Sequence, residues 1–362
     1  MSKIYNYINP SQIEHVDNYN TPQLIYKFND VRFRTHVSSY LKFQTPIGVL
    51  SNNKIISLTN KQLSFLIQKY LHFLGDEYAT DLKTTYNKIV TESNYEVIVI
   101  EEPAFQFFDY ESVNGTAHSY DLMFFLLYCY KVNNLKAKML VVESENRYYN
   151  STLDLIKKYF HVDYIFIKPN QTYLFKTFIC TRSYQNILFH EVKQFVNNNL
   201  INPIIKKYDE LNQVYHENII KVKLKSSINL NRDNDSFEKN DAYLNFCNKK
   251  GIFDLNNIDD DEELKIYYIN KAKILIIQFS SIYYINTNYY LRDTTNKKII
   301  VLLAKIHENQ PFIQEIECGT LKQNMHGGFC GNITEQLYNT WQFAGELINI
   351  ETIDDIELKI KI

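Results

Sequence analysis

Within about 30 residues the chain sets a short apolar run, a helix-spaced segment and a second short apolar run in succession. That order restricts the fold more than any other feature. Met139-Leu140-Val141-Val142 is too short for a helix and its residues suit a pleated sheet. From Ser151 to Phe160, the residues Leu153, Ile156 and Phe160 share one helical face. Ser151 reads as the helix cap and Asp154 stands at the capping-box position. Tyr164-Ile165-Phe166-Ile167 is the second strand, and Pro169 stops it. Two strands joined through a helix form a parallel crossover unit, because antiparallel neighbours need only a tight turn. Val97 to Ile100 reads as a buried strand of the same unit. Asp121 to Val132 is apolar nearly all round, as in a helix covered on every side.

The alternation restarts at Ile219. Ile219–Leu224 is a strand, and Phe237–Lys250 a helix with Gly251 placed to end it. Ile252–Leu255 is a short strand, Glu262–Lys271 a helix, and Ile274–Gln278 and Lys298–Leu303 are strands. Ahead of both blocks, Leu24–Phe28, Val31–Arg34, Tyr40–Phe43 and Lys54–Leu58 are short runs separated by turn residues, which predicts a small sheet of hairpins. Lys61 to Leu74 carries helix spacing, with Gly75 to end it. The expected fold is therefore α/β, with two doubly wound Rossmann-like domains and an N-terminal β-hairpin sheet. Residues 1–205 form the first domain (hairpin sheet 24–58 and α/β 96–200), and residues 206–362 the second. The polar, interrupted stretch from Pro203 to Asn218 is the expected hinge.

A formal net charge of −2 with 22% charged residues gives no electrostatic case for nucleic acid, whose binders usually show a basic excess. The N-terminal Met1-Ser2-Lys3-Ile4-Tyr5-Asn6 lacks the apolar core of a signal peptide, and Leu122–Tyr130 and Ile274–Phe279 are far shorter than the ~20 residues that cross a bilayer. The expectation is a cytoplasmic protein without a membrane span, its five scattered cysteines reduced. The 29 tyrosines and the heavy use of Asn, Ile and Lys match AT-rich codons, as in a large DNA virus or an AT-rich protist.

Three segments between about Tyr26 and Ala304 resemble the family-61 glycosyltransferases, which have two Rossmann-like domains (the GT-B type). Gly48-Val49-Leu50-Ser51-Asn52-Asn53-Lys54-Ile55-Ile56 resembles that family's N-terminal sheet. Ala117-His118-Ser119-Tyr120-Asp121-Leu122-Met123 resembles the helix that opens its acceptor domain. Phe237 to Leu255, Glu262-Glu263, Ala272 and Ile274-Leu275-Ile276-Ile277 resemble its donor domain. Departures stand beside these matches. Ser119 replaces a tryptophan, Lys223 or Lys225 replaces an arginine, and Gln278-Phe279-Ser280-Ser281 replaces a turn rich in Gly and His. The resemblance implies an inverting, metal-independent transferase with no cofactor beyond its nucleotide-sugar donor, and a glycan or protein hydroxyl as acceptor.

Each candidate residue has a chemical reason and a structural alternative. His118 could take the acceptor's hydroxyl proton, since imidazole titrates near neutral pH; the alternative is a structural histidine at the helix start. Ser280 and Ser281 follow the strand Ile274–Gln278, and ligands of doubly wound sheets bind beyond the carboxyl ends of strands. Their hydroxyls and the free amides of a following helix suit a diphosphate, or else they form an ordinary N-cap. Lys223 and Lys225 share one strand face, either beside phosphate as point charges or in solvent. Glu263 is the position the resemblance assigns to the ribose hydroxyls. Asp259-Asp260-Asp261-Glu262-Glu263 contains Asp-x-Asp, yet acidic residues at a helix start are the commoner reason for such a run. Cys318, His326 and Cys330 lack a fourth ligand for zinc and read as a glycine-bearing loop. Glu143, after the strand Met139–Val142, is the acid placed to hold a ribose if the chain is another kind of nucleotide-binding enzyme, such as a methyltransferase. A glycosyltransferase is the leading expectation. A catalytically silent scaffold of the same fold that binds a glycan or a protein is its alternative.

Overall fold

A computed structural model describes residues 13–15, 25–34, 47–49, 55–57, 97–107, 117–143, 147–168, 171–181, 189–211, 219–222, 241–258, 261–278, 289–292, 297–302 and 346–348. It is a mixed α/β structure with two sheets. The chain divides into two compact units, Met1–Gln185 and Asn186–Ile362.

Among the described residues the first unit holds nine strands. They are β1 (Ile13–His15), β2 (Ile25–Arg34), β3 (Ile47–Val49), β4 (Ile55–Ser57), β5 (Val97–Ile100), β6 (Ala104–Gln106), β7 (Lys138–Val142), β8 (Tyr164–Ile167) and β9 (Thr172–Thr181). Helix α1 (Ala117–Val132) precedes β7, and α2 (Arg147–Phe160) joins β7 to β8. The strands form one sheet in the order β1-β4-β3-β2-β9-β6-β7-β8, with β5 also on β9. Strands β6, β7 and β8 pair in parallel, as the crossover pattern requires. The expected separate hairpin sheet is corrected here. β2 is one ten-residue strand, and it pairs antiparallel with β9 from Ile25↔Thr181 to Arg34↔Thr172. That seam carries the shared core, in which the rings of Phe33 and Phe175 meet edge to face at 6.1 Å and Phe178 lies 5.8 Å from Phe175.

β5 corrects a second expectation, because Ile98 and Val99 are 42% and 46% exposed. Among the described residues β5 pairs only with β9. The chain then runs through Glu101-Glu102-Pro103 and returns to the same side of β9 as β6. Register passes from Ile100↔Phe175 to Ala104↔Phe178, so one more residue is spent than β9 supplies. Pro103 has no N–H to give the ladder, which suits it to such a break.

α1 begins at Ala117, four residues before the expected Asp121, so His118 falls inside its first turn. Met123, Phe124, Phe125, Leu126, Leu127 and Cys129 are all buried, as a helix covered all round demands. It ends on Asn134, whose φ is +49°, with Leu135 N–H donating to Tyr130 O and Asn134 N–H to Lys131 O. This is a Schellman end with Asn in the left-handed position. α2 starts at Arg147, which puts Ser151 and Asp154 in its interior and removes their capping role. Leu153, Ile156 and Phe160 are buried as expected. Cys129 and Cys180 are buried thiols, and burial pushes the Cys129 pKa up to about 12.

In the second unit α3 (Phe189–Val196) runs through a π turn (Asn197–Ile201) into α4 (Asn202–Glu210). Asn202 N–H reaches back five residues to Asn197 O. The wider turn precedes Pro203, which has no N–H for the next helical bond. β10 (Ile219–Val222), α5 (Asp241–Lys249), β11 (Phe253–Asp254), α6 (Glu262–Lys271), β12 (Ile274–Gln278), β13 (Lys298–Leu302) and β14 (Glu346–Ile348) follow. All five strands are parallel, in the order β11-β10-β12-β13-β14. Gly251 ends α5 at φ +63°, with Ile252 N–H donating to Cys247 O, which is the role its position predicts. The expected strand Ile252–Leu255 shortens to two residues, because Leu255–Asn257 turns into a single 3₁₀ turn.

The units divide at Gln185/Asn186 rather than at 205/206. The expected hinge region begins inside α4, which packs on α6. Tyr208 and Tyr267 lie 5.2 Å apart between ring centres, and Lys207 pairs with Glu263. Those contacts commit residues 202–210 to the second unit. The expected strand at 40–43 and helix at 61–74 lie outside the described residues.

Candidate functional site

The parallel order of the second sheet decides where a ligand would sit. From β10 the chain moves to β11 on one side, then crosses to β12 on the other. In open parallel sheets the crevice between two such strands, beyond their carboxyl ends, is the usual ligand site. Val222 and Ile277 are register partners, so the carboxyl ends of β10 and β12 are neighbours. Lys223 and Lys225 follow β10 in the chain, and Ser280 and Ser281 follow β12. These four residues lie outside the described residues, as do Asp259, Asp260, Cys318, His326 and Cys330.

Glu263 is described. It sits in the first turn of α6, which must start near the carboxyl edge of the sheet, because it carries the chain from β11 back to the amino end of the parallel β12. Its carboxylate is buried, 7% exposed as a residue, and Lys207 Nζ lies 2.5 Å from Oε2. Asp261 caps the helix, its Oδ1 accepting from Leu264 N–H at 2.9 Å. This is the helix-start role that its acidic run suggests. Tyr208 Oη donates to Asp261 Oδ2 at 3.1 Å, and Lys207 Nζ stands 4.8 Å from the Tyr208 ring centre. One turn along, Tyr267 Oη donates to Asp209 Oδ1 at 3.0 Å and Lys271 Nζ lies 2.7 Å from the same oxygen.

The charges in this cluster bias its titrations. The hydrogen bond from Lys271 holds the Asp209 carboxyl below its ordinary range, and the Tyr267 hydroxyl adds to the effect. Burial, then the hydrogen bond to Asp209, pushes the Tyr267 pKa up to about 12. Burial and Asp261 raise Tyr208 in the same way. The α4 partners Lys207, Tyr208 and Asp209 were not singled out from the sequence. Their signal is the helical adjacency of three polar or aromatic residues opposite the acidic start of α6, which becomes visible only once the two helices are paired.

His118 lies in the first unit, in the opening turn of α1, and its side chain falls outside the described residues. Glu143 directly follows β7, and its N–H donates to Ile167 O at 3.1 Å. A pocket of about 430 Å³ also belongs to the first unit, but it opens at the amino ends of β6 and β7. It lies at the opposite end of α1 from His118, about 20 Å along the helix at 1.5 Å per residue. It is therefore separate, within the first unit, from His118 and from Glu143 at the carboxyl end of β7. Among the described residues no group of three or more His, Cys, Asp or Glu is placed to hold a metal, and no helix is long and apolar enough to cross a membrane.

No protein-family model matches the chain, and a search of curated proteins returns no match.

Proposed function

We propose that the chain is a glycosyltransferase with two Rossmann-like domains, which moves a sugar from a nucleotide diphosphate sugar to a hydroxyl acceptor. The observation that carries this reading is the strand order β11-β10-β12-β13-β14. It is the 2-1-3-4-5 order of doubly wound nucleotide-binding sheets. The switch between β10 and β12 falls where Lys223, Lys225, Ser280 and Ser281 continue the chain. In this reading the serine hydroxyls, the lysines and the amides that follow them stabilise the departing diphosphate, and His118 accepts the proton of the acceptor hydroxyl. Glu263 would share its carboxylate between Lys207 and a ribose hydroxyl. The diphosphate is met by lysines and amides, so turnover is expected to survive chelation.

The test is a thermal-shift screen with nucleoside diphosphates and nucleotide sugars, repeated on Ser281→Tyr. A ligand that binds only the native state raises Tm. A shift in the wild type that disappears in a folded Ser281→Tyr protein supports the donor site beyond β12. An equal shift in both moves the donor elsewhere.

One observation favours a binding scaffold of the same fold. The matched acid Glu263 is buried and already paired with Lys207. Nucleotide binding without turnover of any nucleotide sugar would decide for that reading.

A further inference from the structure

The pocket in the first unit forms where α1 and α2 both end on left-handed residues, Asn134 at φ +49° and His161 at φ +50°. Lys131, in the last turn of α1, sends its ammonium across to the carbonyl of Phe160, the last residue of α2. That bond anchors Nζ in the pocket wall. The amine also stands 5.7 Å from the centre of the Tyr130 ring. The other charged or titratable groups lining the pocket are Lys136, Lys138, His161, Glu102 and Asp163. Lys138 is matched by Glu102 at 2.7 Å. Among the described residues Lys131 has no carboxylate at ion-pair distance. Burial first, and then the positive charge of Lys136, hold the Lys131 amine below the ordinary lysine range. Partial desolvation and a neighbouring cation are the two circumstances that make a lysine nucleophilic near neutral pH.

We propose that Lys131 is a carbonyl-reactive amine, which forms a Schiff base with small aldehydes or ketones whose anionic group is held by Lys136. The neutral amine attacks the carbonyl carbon, and the C=O bond opens to a hydroxyl. The carbinolamine then loses that hydroxyl with the remaining nitrogen proton as water, leaving C=N in place of C=O. No oxidant or reductant is needed. Burial and the Lys136 charge both favour the neutral amine, so its reactivity should rise with pH at a lower pH than that of an exposed lysine.

The test treats the full-length chain with pyridoxal 5′-phosphate, an aldehyde bearing a phosphate, between about pH 6 and about pH 9, a range that lies below and approaches ordinary lysine titration. Borohydride then fixes each imine, and peptide mapping by mass spectrometry ranks the lysines. Lys131 should label severalfold faster than the exposed Lys206 and Lys249, with its rate rising at lower pH than theirs. Lys136→Gln should move that rise toward ordinary lysine behaviour and weaken the preference for the phosphate-bearing aldehyde over propanal. Labelling that follows exposure alone, with Lys131 no faster than Lys206, overturns the proposal. So does a Lys131 rate that Lys136→Gln leaves unchanged. The wild-type ranking stands whether or not the variant folds.

Discussion

Lys207 and Glu263 differ in surroundings, and the difference sets what their loss costs. The glutamate side chain is 9% exposed and the lysine 40%. Lys207→Met leaves a carboxylate buried without its cation, which should cost about 1–3 kcal/mol once the partial exposure of the pair is allowed for. Adding Glu263→Gln removes that buried charge, so the double variant should be more stable than Lys207→Met alone. Urea melts of the two singles and the double measure this coupling; equal stability of the double and of Lys207→Met would show that the pair is not coupled. Asp209 yields a pH prediction. Lys271 holds its native pKa below the unfolded value. The native state therefore binds that proton less readily than the unfolded chain, and the stabilisation is complete above about pH 4, near the unfolded Asp value. It is lost as pH falls through the depressed native pKa. Asp209→Asn should flatten the fall in urea stability between about pH 5 and pH 3, the window just around that unfolded value; an unchanged slope would remove Asp209 as a contributor.

Helix ends are the clearest case at the scale of elements. α5 ends on Gly251 at φ +63°, and a Cβ built there meets nothing within 4 Å. Gly251→Ala is then a pure backbone test and should cost roughly 1 kcal/mol, the usual penalty for a left-handed L-residue. A thermal melt with no loss would mean that the residue relaxes out of that conformation. This position was legible because glycine after a helix-spaced run has a local cause. The start of α2 was not. Ser151 looks like a cap, yet the helix extends back to Arg147 and buries Tyr149. Tertiary burial of that first turn outweighs a capping preference worth about 1 kcal/mol. β5 failed for the converse reason. Four apolar residues suit a strand covered on both faces, but a strand's surroundings are set by its neighbours, and Ile98 and Val99 face outward.

For the whole molecule, the proposed reaction divides its tasks between the units, with His118 in one and the residues after β10 and β12 in the other. His118→Ala should therefore cut turnover by about 10²- to 10⁴-fold while leaving nucleotide affinity nearly intact. Turnover and Tm measured on one sample decide the matter. A destabilised variant with normal turnover per folded molecule would make His118 structural. The sequence by itself determined the elements whose causes are local. Periodicity placed α6 at Glu262–Lys271 and β12 at Ile274–Gln278, and crossover length made β7 and β8 parallel. Only the tertiary structure decided which of those elements share a sheet or a unit. β2 joins β9 from the far end of the unit, and α4 leaves the expected hinge to pack on α6. Both outcomes depend on which apolar face finds a complementary one, and neighbouring residues in the chain do not carry that information.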